Sequence, residues 1–557
     1  MKSFVLLLVW SLPLVLAALT GRRYARWLLI LAPIPALVAA AVVPAGTSVT
    51  LPWLLLGTEL GVDETGRVFL WFSGLLWLIA SLYATGSMAG TSTATRFRVF
   101  FLLAMSGNLG LILAQDMVTF YLGFTLMGLA VYGLIAHAAS QHARRAARRY
   151  LAWTIAGELV LFVAVVLLVA QNGGATAFSV LQANPPAGFA VLLIVIGFGI
   201  KLALPGLHFW LPPAYTATPT PAVAVLSGAM IKAGLLGWLR FLPPGDGALA
   251  GWGQALMVAG IIGIFFGATI GLLQHRPRLL LGYSSISKMG VLTVGMGAAL
   301  AWPAAAPALI GALAIYAAHH ALVKGALFLG LGVVEHGGPR PWILLGFGFL
   351  ALVLAGAPFT SGALAKSVLV EGLPDPAQPL VALLAASALA TTLLMARLLF
   401  LIWSQRGSVG SPPPATSITA WLILLALIAV FPFTVADAGQ LWANLVPVSL
   451  GALLAGVTLL AARPLPARFA LRDRHTEGRR LPLRTTRAIR QWAKAAQSRI
   501  AMWWSAGRSR RRSLRQTLRG RLIALRRSAA GQESWPLAGT LWLGIGGALL
   551  TAFISTV

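Results

Sequence analysis

Residues 201–221 read KLALPGLHFWLPPAYTATPTP, an apolar run that holds a lysine and a histidine and that several prolines interrupt. Proline lacks a backbone N–H and breaks a helix, and broken membrane helices occur where they line a cavity or are buried in protein. A second interruption, at residues 356–362, lies next to Lys366. One alternative is that proline is simply frequent in membrane helices. We predict instead two broken membrane helices beside intramembrane lysines, a pattern typical of transporters with inverted repeats.

The whole chain is apolar enough to be an integral membrane protein. It has 557 residues, of which 58% are hydrophobic and 10% charged, and its mean hydropathy is +0.85. A membrane helix needs roughly 20 apolar residues, so the runs predict an all-α polytopic membrane protein with about 16 transmembrane helices. The first run is interpreted as a helix and not as a signal peptide, because no convincing cleavage site follows it. The runs lie approximately at residues 3–20, 27–44, 67–86, 97–114, 116–136, 150–171, 187–205, 222–243, 251–273, 279–300, 304–332, 341–370, 379–404, 415–437, 445–463 and 535–557.

The basic residues fall into two classes by position. Of 42 lysines and arginines, seven are lysines, and most of the arginines crowd the connecting segments. Ionisable groups inside a bilayer are costly and are functional candidates by default. Burial in general lowers the pKa of a lysine, so that it can release a proton, whereas arginine stays charged. The lysines in or beside apolar runs therefore indicate a chain that moves protons, and they are Lys201, Lys232, Lys288, Lys324 and Lys366.

The arginines also predict the orientation of the chain in the membrane. They follow most odd-numbered runs, whereas the loop after the second run carries Glu59, Asp63 and Glu64. Because cytoplasmic loops carry the excess of basic residues, both termini are predicted to be periplasmic and residues 464–533 cytoplasmic. This distribution accounts for the net charge of +29, so no nucleic-acid partner is predicted.

Residues 464–533 form a basic segment with an apolar stripe. Apolar residues recur every three or four positions from Ile489 to Trp503 and from Leu514 to Leu525. This pattern predicts one or two basic amphipathic helices on the cytoplasmic membrane surface, in contact with anionic lipid. The alternative is a disordered basic tail. The run 535–557 is predicted to be a C-terminal transmembrane helix.

The chain contains no cysteine, which excludes disulfides, thiolate metal sites and iron–sulfur ligation by this chain. No motif for a redox cofactor is visible in the sequence. We therefore predict no cofactor, no metal site and no catalytic site in this chain.

Seven short blocks of the sequence together carry a resemblance to a known family. They are LPWLLLG at 51–57, KLALPGLHFWLP at 201–212, TPTP at 218–221, MIKAG at 230–234, RLLLGYSSISKMG at 278–290, HALVKGALF at 320–328 and SGALAK at 361–366. In this order and spacing they resemble the antiporter-like proton-translocating subunits shared by respiratory complex I, Mrp-type Na+/H+ antiporters, group 4 membrane hydrogenases and related complexes. The related complexes include those with inorganic-carbon uptake membrane subunits. The resemblance covers roughly residues 50–405.

The resemblance implies a core of two inverted repeats of about five helices each, with a broken helix in each repeat. It implies a multi-pass protein of the bacterial inner (plasma) membrane. The expected organisation is helices 1–3 at 1–96, a first inverted repeat (helices 4–8) at 97–243, a second (helices 9–13) at 251–404, helices 14–15 at 415–463, the basic segment at 464–533 and the last helix at 535–557.

The resemblance also implies proton-relay residues along a central hydrophilic axis. His208 and His336 are further candidates, because histidine titrates close to physiological pH. Lys288 stands where the family more often has an uncharged polar residue, and it is interpreted as facing a cytoplasmic entrance. The positions that match the family's relay are Lys201, Lys232, His320, Lys324 and Lys366.

Two positions depart from the family's pattern. Thr125 stands where the family usually has a glutamate that pairs with the lysine at position 201. Ser367 stands where the family often has an acid. Glu158 is a candidate to supply the missing charge and joins the predicted relay residues. Both departures put the family's standard pumping cycle in question for this chain.

The leading hypothesis is a proton-translocating membrane subunit of a larger energy-coupled complex, which moves H+ through a central Lys/His axis. The alternatives are the proton-conducting subunit of a two-component inorganic-carbon uptake system and an Mrp-type Na+/H+ antiporter subunit. A self-sufficient sodium/proton transporter and a non-conducting membrane anchor are hypotheses of other classes. The driving reaction is expected to come from other membrane subunits or from a soluble or peripheral catalytic partner. The chain itself is at most a subunit of a translocase similar to NADH:quinone oxidoreductase.

Overall fold

The computed structural model describes residues 2–21, 25–245, 247–338, 340–404, 412–434 and 445–461. These residues are mostly helical, and ten of their helices are long and apolar enough to cross a membrane. The predicted surface segment 464–533 and the predicted last helix 535–557 lie outside the described residues. Five shorter apolar helices accompany the ten: Lys2–Ala18, Arg26–Val42, Gly188–Leu202, Pro341–Ala355 and Val446–Gly456.

The N-terminal helices differ from the predicted runs at one place, where prolines divide the second run. Pro33 stands at the N-terminal end of the later piece, a position at which a missing backbone N–H is tolerated. The fourth helix begins after Asp63, whose carboxylate accepts a hydrogen bond from the backbone N–H of Gly66. The helices are α1 Lys2–Ala18, α2 Ala25–Leu31, α3 Ile34–Val42 and α4 Glu64–Ser87.

A two-stranded antiparallel sheet, which the sequence analysis did not predict, connects α3 to α4. Strand β1, Thr47–Leu51, pairs with strand β2, Thr58–Val62. The β-branched residues of β1 favour an extended strand, while the apolar block 51–57 forms the connecting turn. The Asp116 carboxylate accepts a hydrogen bond from the backbone N–H of Glu59 at 3.0 Å. This bond fixes the hairpin to the helical core.

The next eight helices form the first half of the core. The helix that carries Lys201 ends one residue later, because Ala203 adopts the left-handed conformation and Pro205 cannot continue the hydrogen-bond ladder. A 3-10 turn at Met230–Lys232 makes a further interruption beside a lysine. The helices are α5 Ala94–Leu113, α6 Met117–Ile135, α7 Gln141–Gln171, α8 Val180–Ala183, α9 Gly188–Leu202, α10 Leu211–Ala217, α11 Thr220–Gly228 and α12 Ala233–Phe241.

The second half of the core has its own interruption, between α16 and α17. Gly356 ends the first piece with a φ of 86°, a conformation that favours glycine. The Thr360 hydroxyl then accepts a hydrogen bond from the backbone N–H of Ala363 and begins the next helix. The helices are α13 Ala250–Leu272, α14 Pro277–Ala301, α15 Ala306–Gly337, α16 Pro341–Ala355, α17 Ser361–Glu371 and α18 Gln378–Trp403, followed by α19 Ala415–Val430 and α20 Leu445–Ala461.

Helices α13 and α14 pack with their backbones in contact. A Cβ on any of the glycines between them would collide with backbone atoms of the other helix. Small residues at such an interface allow two membrane helices to approach closely. We call these residues the glycine seam: Gly253, Gly260 and Gly267 on α13, and Gly290 and Gly297 on α14.

The two halves meet where α11 packs against α15, and α4 packs against both. Gly228 of α11 and Gly325 of α15 both face Leu76 of α4, which leaves no room for a Cβ on either glycine. This close approach brings the turn that carries Lys232 beside Lys324 of α15.

Candidate functional site: a buried row of lysines and histidines

Lys201 occupies the last turn of α9, where the helix ends inside the protein. The side chain is buried, and its Nζ has no hydrogen-bond partner in the described part of the chain. The Nζ lies 5.3 Å from the centre of the Phe124 ring of α6, within the range of a cation–π contact. The first helical break therefore leaves the Lys201 amine in the core without a hydrogen-bond partner among the described residues.

Glu158 of α7 is a buried carboxylate that interacts electrostatically with Lys201. Its side chain has room because residue 128 of α6 is glycine, and a Cβ there would collide with the Glu158 Oε1 atom. Thr125 lies three residues before Gly128 on the same helix. The gap between α6 and α7 thus holds a carboxylate that comes from α7 and not from α6.

Little space remains around this first pair of charges. The cavity beside Lys201 has a volume of about 10 Å³ and is lined in part by Thr154 and Gly157 of α7. That volume is close to the minimum that one water molecule needs. The cavity beside Lys201 therefore has room for about one water molecule.

Lys232 and Lys324 are fully buried where the two halves meet, and their charges interact. The Lys232 Nζ donates a hydrogen bond to the Ser227 carbonyl at 2.8 Å, and the Lys324 Nζ donates to the Leu281 carbonyl at 2.9 Å. The Ser285 hydroxyl donates to the same Leu281 carbonyl at 3.1 Å. Each amine thus has a backbone carbonyl as partner, which can accept a hydrogen bond from a neutral amine as well as from an ammonium ion.

Two consecutive histidines of α15 face different neighbours. Both ring nitrogens of His320 are buried without a hydrogen-bond partner among the described residues, and the ring interacts electrostatically with Lys232. The Nδ1 of His319 lies 2.9 Å from the hydroxyl of Ser361, and the ring interacts with Lys366. The sequence analysis missed His319. A usable signal was the histidine pair itself. Consecutive residues of a helix point about 100° apart, so two adjacent histidines can contact different neighbours.

Lys366 and Lys288 complete the row in the second half. The Lys366 Nζ donates a hydrogen bond to the carbonyl of Ala355, the last residue of α16. Lys288 of α14 is 1% exposed, and its Nζ donates to the Thr391 hydroxyl of α18 at 2.6 Å. Its charge interacts with those of Lys324 and Lys366. The side chain of Lys288 therefore lies in the interior between helices, and its expected place at a cytoplasmic entrance stays a prediction.

A cavity of about 270 Å³ adjoins Lys366. Its lining includes Ser367 and Glu371 of α17, together with Tyr316 of α15 and Ser387 of α18. Glu371 is exposed, so the cavity extends from the surface of α17 to the buried amine of Lys366. Ser367 faces this space at the position where the family often has an acid.

The five buried lysines form a series through the core, which we call the lysine row. Neighbouring members of the row are close enough for their positive charges to repel each other: Lys232 and Lys324, Lys324 and Lys288, and Lys288 and Lys366. Lys201 lies on α9, which packs against the turn that carries Lys232. The row therefore runs through both halves.

The other two histidine candidates lie in different environments. His208 is buried between α9 and α10, where its ring stacks on Phe209 at 4.5 Å and meets the edge of Phe266 at 4.9 Å. His336 is exposed near the end of α15, and its Nδ1 lies 2.7 Å from the Gly332 carbonyl of its own helix. The structure groups His208 with the first helical break and leaves His336 outside the lysine row.

Residues 114–393 match the family model described as NADH:quinone oxidoreductase/Mrp antiporter, TM. The match covers about half of the chain and includes both predicted breaks and all five lysines of the row. The chain belongs to this family. Members of the NADH:quinone oxidoreductase/Mrp antiporter family include components of several multi-subunit membrane complexes.

Two relatives show how far the sequence similarity of this chain extends. The NADH-quinone oxidoreductase subunit N of Desulforudis audaxviator is 31% identical over 373 residues, which cover 62% of this chain and 72% of that protein. The A/B component of a probable K(+)/H(+) antiporter of Rhizobium meliloti is 33% identical over 331 residues, which cover 56% of this chain and 32% of that protein. This chain therefore spans about a third of the length of the Rhizobium relative.

The structure of an Mrp complex from Dietzia sp. contains a chain with the same fold. It superposes with a TM-score of 0.70 at 24% sequence identity and covers 98% of this chain and 66% of that one. At this identity the likeness concerns the fold alone. The protein is thus a multi-pass membrane protein of this family, similar in sequence to subunits of an antiporter and of NADH-quinone oxidoreductase.

Proposed function

We propose that this chain is the proton-translocating subunit of a larger energy-coupled membrane complex and moves H+ along the lysine row. The single observation that carries the proposal is the row itself: five buried lysines distributed over both halves of the core. Buried ionisable groups are costly in a membrane protein, and they mark ion pathways and proton relays. His319 and His320 lie alongside the row and supply further groups that can hold a proton.

The partners of the lysines support a relay more than a permanent charge. Lys232, Lys324 and Lys366 donate to backbone carbonyls, and Lys288 donates to a hydroxyl. A permanently charged ammonium ion in a core normally needs an opposite charge nearby. Neutral oxygen acceptors serve the protonated and the neutral amine alike, so each lysine can change its protonation state without losing its partner.

We propose that Glu158 takes the role of the family's missing glutamate toward Lys201. A carboxylate that approaches the amine favours its charged form, and one that moves away favours release of the proton. Gly128 gives the Glu158 carboxylate room in the gap between α6 and α7. This geometry supports a charge switch in which the acidic residue lies on α7 and not on α6. Thr125 of α6 then occupies the position of the family's glutamate.

We further propose the predicted topology: sixteen helices in total, with two inverted repeats at 97–243 and 251–404, following N-terminal helices at 1–96. The paired breaks after Lys201 and before Lys366 support it. In this topology both termini are periplasmic, and the basic segment 464–533 lies on cytoplasmic anionic lipid. Because the chain has no cysteine, one introduced cysteine is a unique label. We expect a membrane-impermeant maleimide to label Trp53→Cys but not Thr476→Cys in spheroplasts, and equal labelling would contradict the topology.

The partners are proposed to be other membrane subunits, with a peripheral or soluble protein that supplies the driving reaction. Affinity purification of the tagged chain from its native membrane, followed by mass spectrometry, identifies them. Redox or hydrogenase subunits would mean electron-driven translocation, and a soluble zinc protein would mean inorganic-carbon uptake. A chain that purifies alone would overturn the proposal that it works as a subunit.

A second candidate function is cation/proton exchange as an Mrp-type antiporter subunit. The observation in its favour is the relative named as part of a probable K(+)/H(+) antiporter, together with the fold of the Mrp complex chain. In vesicles with an imposed pH gradient, an antiporter releases protons when Na+ or K+ is added. Proton flux that is unaffected by both cations would rule out this candidate and leave translocation without cation exchange.

The direct test of the proposed function measures proton flux through the purified native complex in liposomes under an imposed potassium diffusion potential. We expect flux with the natural chain and a loss of about 10²-fold or more with Lys324→Met, because a relay group is removed from the centre of the row. Lys2→Met is the matched control, since Lys2 is exposed at the start of α1. Equal flux from the natural chain and Lys324→Met would overturn the proposal.

A further inference from the structure

Lys288 is joined to the cavity at Lys366 by side chains of α18. The Lys288 Nζ donates to the Thr391 hydroxyl at 2.6 Å, and that hydroxyl donates to the Ser387 carbonyl, also at 2.6 Å. Ser387 lies one helical turn before Thr391 and lines the cavity together with Lys366. The Thr391 hydroxyl that holds Lys288 therefore lies one helical turn from the wall of a cavity of about 270 Å³.

The charges around Lys288 all have the same sign. Its charge interacts with Lys324, His319 and His320 of α15 and with Lys366 of α17. The partner from α18 is the neutral Thr391 hydroxyl. The two ion pairs found within 4.0 Å among the described residues are Arg240–Asp63 and Arg278–Glu335, so neither involves Lys288. A proton on Lys288 therefore has basic neighbours and, among the described residues, no carboxylate in contact to retain it.

We propose that Lys288 and Thr391 form a relay that exchanges protons between the lysine row and a water-filled cavity at Lys366. This proposal deepens the proposed function and rests on it. In the transfer, an N–H bond of the Lys288 ammonium breaks and its proton binds the Thr391 oxygen, while the hydroxyl proton of Thr391 passes to a cavity water. That water gives a proton to the neutral amine of Lys366, and Lys288 is left neutral until Lys324 protonates it again.

The Thr391 hydroxyl suits this role because it donates and accepts at the same time. The Ser387 carbonyl can only accept, so the hydroxyl must turn from that carbonyl toward a cavity water for each transfer. A cavity of about 270 Å³ has room for several water molecules. Lys366, Ser367 and Tyr316 offer them polar partners, while more than half of the lining residues are apolar.

The closing experiment compares three substitutions on α18 in the reconstituted native complex. Thr391→Val keeps the side-chain shape and removes the hydroxyl, so we expect proton flux to fall by about 10²-fold. Thr391→Ser keeps the hydroxyl and is expected to retain flux within about twofold. Thr392→Val is the matched control: its hydroxyl bonds to the Ala388 carbonyl of its own helix, and it faces Gly451. Unchanged flux in Thr391→Val, or equal losses in Thr391→Val and Thr391→Ser, would overturn the relay.

Lys288→Met separates a relay from a structural tether between α14 and α18. A relay predicts that flux falls while the Tm stays the same or rises, because an uncompensated buried charge has been removed. A lower Tm with normal flux would make Lys288 a tether and would overturn the relay. If Lys324→Met abolishes flux and Thr391→Val does not, the relay fails and the proposed function stands. If Lys324→Met leaves flux unchanged, the proposed function fails, and the relay fails with it.

Discussion

The two halves of the core accommodate their buried lysines in different ways. In the first half, Lys201 interacts with the carboxylate of Glu158, and the space beside it measures about 10 Å³. In the second half, Lys288 and Lys366 donate to neutral oxygen atoms, and the cavity at Lys366 measures about 270 Å³. The site of Lys201 uses an opposite charge in a tight space. Lys232 of the same half and the lysines of the second half use neutral dipoles, with room for water at Lys366.

This difference assigns a different task to each half. An opposite charge stabilises the ammonium form of a lysine selectively, so its movement can switch the proton affinity of Lys201. Neutral acceptors and water stabilise both forms similarly, which favours rapid passage without control. We therefore expect the first half to decide when a proton moves and the second half to conduct it.

The strongest test of this comparison is Glu158→Gln. Removal of the carboxylate leaves Lys201 without its switch, so we expect proton flux to fall by about 10²- to 10³-fold. Glu64→Gln, on an exposed carboxylate of α4, is the control. Adding Thr125→Glu to Glu158→Gln places a carboxylate in the same gap from α6 and should restore part of the flux. Flux that is insensitive to Glu158→Gln would remove the distinction between the halves.

The stability of two lysine variants should change in opposite directions. Lys201→Met removes the basic neighbour of the buried Glu158 carboxyl group, and we expect a loss of about 1–3 kcal/mol in the free energy of unfolding. Lys366→Met removes a buried charge that has only a neutral partner, so stability should stay the same or increase. Thermal unfolding in detergent, followed by tryptophan fluorescence, measures both. Destabilisation of the same size in both variants would show that the halves hold lysine alike.

Gly128→Ala tests the close packing around Glu158 by a change of side-chain volume without a change of charge. The new Cβ would collide with the Glu158 carboxylate, and overpacking of this kind costs about 1–2 kcal/mol. Proton flux should fall as well, because the carboxylate must move. Gly311→Ala is the control, since a Cβ there meets nothing within 4 Å, and it should stabilise α15 by about 0.5–1 kcal/mol. Equal stability changes in the two variants would contradict the close packing at Gly128.

The smallest expected effect concerns the edge at which the two halves are joined. Arg278 of α14 forms an ion pair with Glu335 and also donates to the Thr218 carbonyl and the Thr220 hydroxyl. Glu335 is half-exposed, so Glu335→Gln should cost less than about 1 kcal/mol. Arg278→Ala should cost about 1 kcal/mol more, because it also breaks the hydrogen bonds to the segment between α10 and α11. Equal costs in a thermal unfolding assay would mean that these hydrogen bonds contribute nothing.

The parts of the site that sequence analysis predicts are those with a local signal. The breaks after Lys201 and before Lys366 depend on prolines and glycines within a few positions, and an intramembrane lysine is visible against its apolar neighbours. Glu158 could be proposed because few acids lie near Thr125 along the chain. Its position relative to Lys201 required the packing of α7 on α9.

The rest of the site depends on contacts between distant residues. Lys288 and Thr391 are 103 positions apart, and nothing in the local sequence distinguishes Thr391 from the neighbouring Thr392. The cavity at Lys366 arises from the spacing of four helices, α14, α15, α17 and α18, which no single run of sequence encodes. The hairpin of β1 and β2 was missed because its apolar turn resembles the end of a helix, although the β-branched residues of β1 were a usable signal.

The glycine seam has a mechanical consequence for the second half. Two helices whose backbones interlock cannot slide along one another, because every small displacement brings carbonyl oxygens into collision. We expect α13 and α14 to move as one rigid body that includes Lys288. Conformational change would then concentrate at the helix breaks beside Lys201 and Lys366. A force that a neighbouring protein applies to one end of this helix pair would therefore move the other end by nearly the same distance, because the pair deforms little.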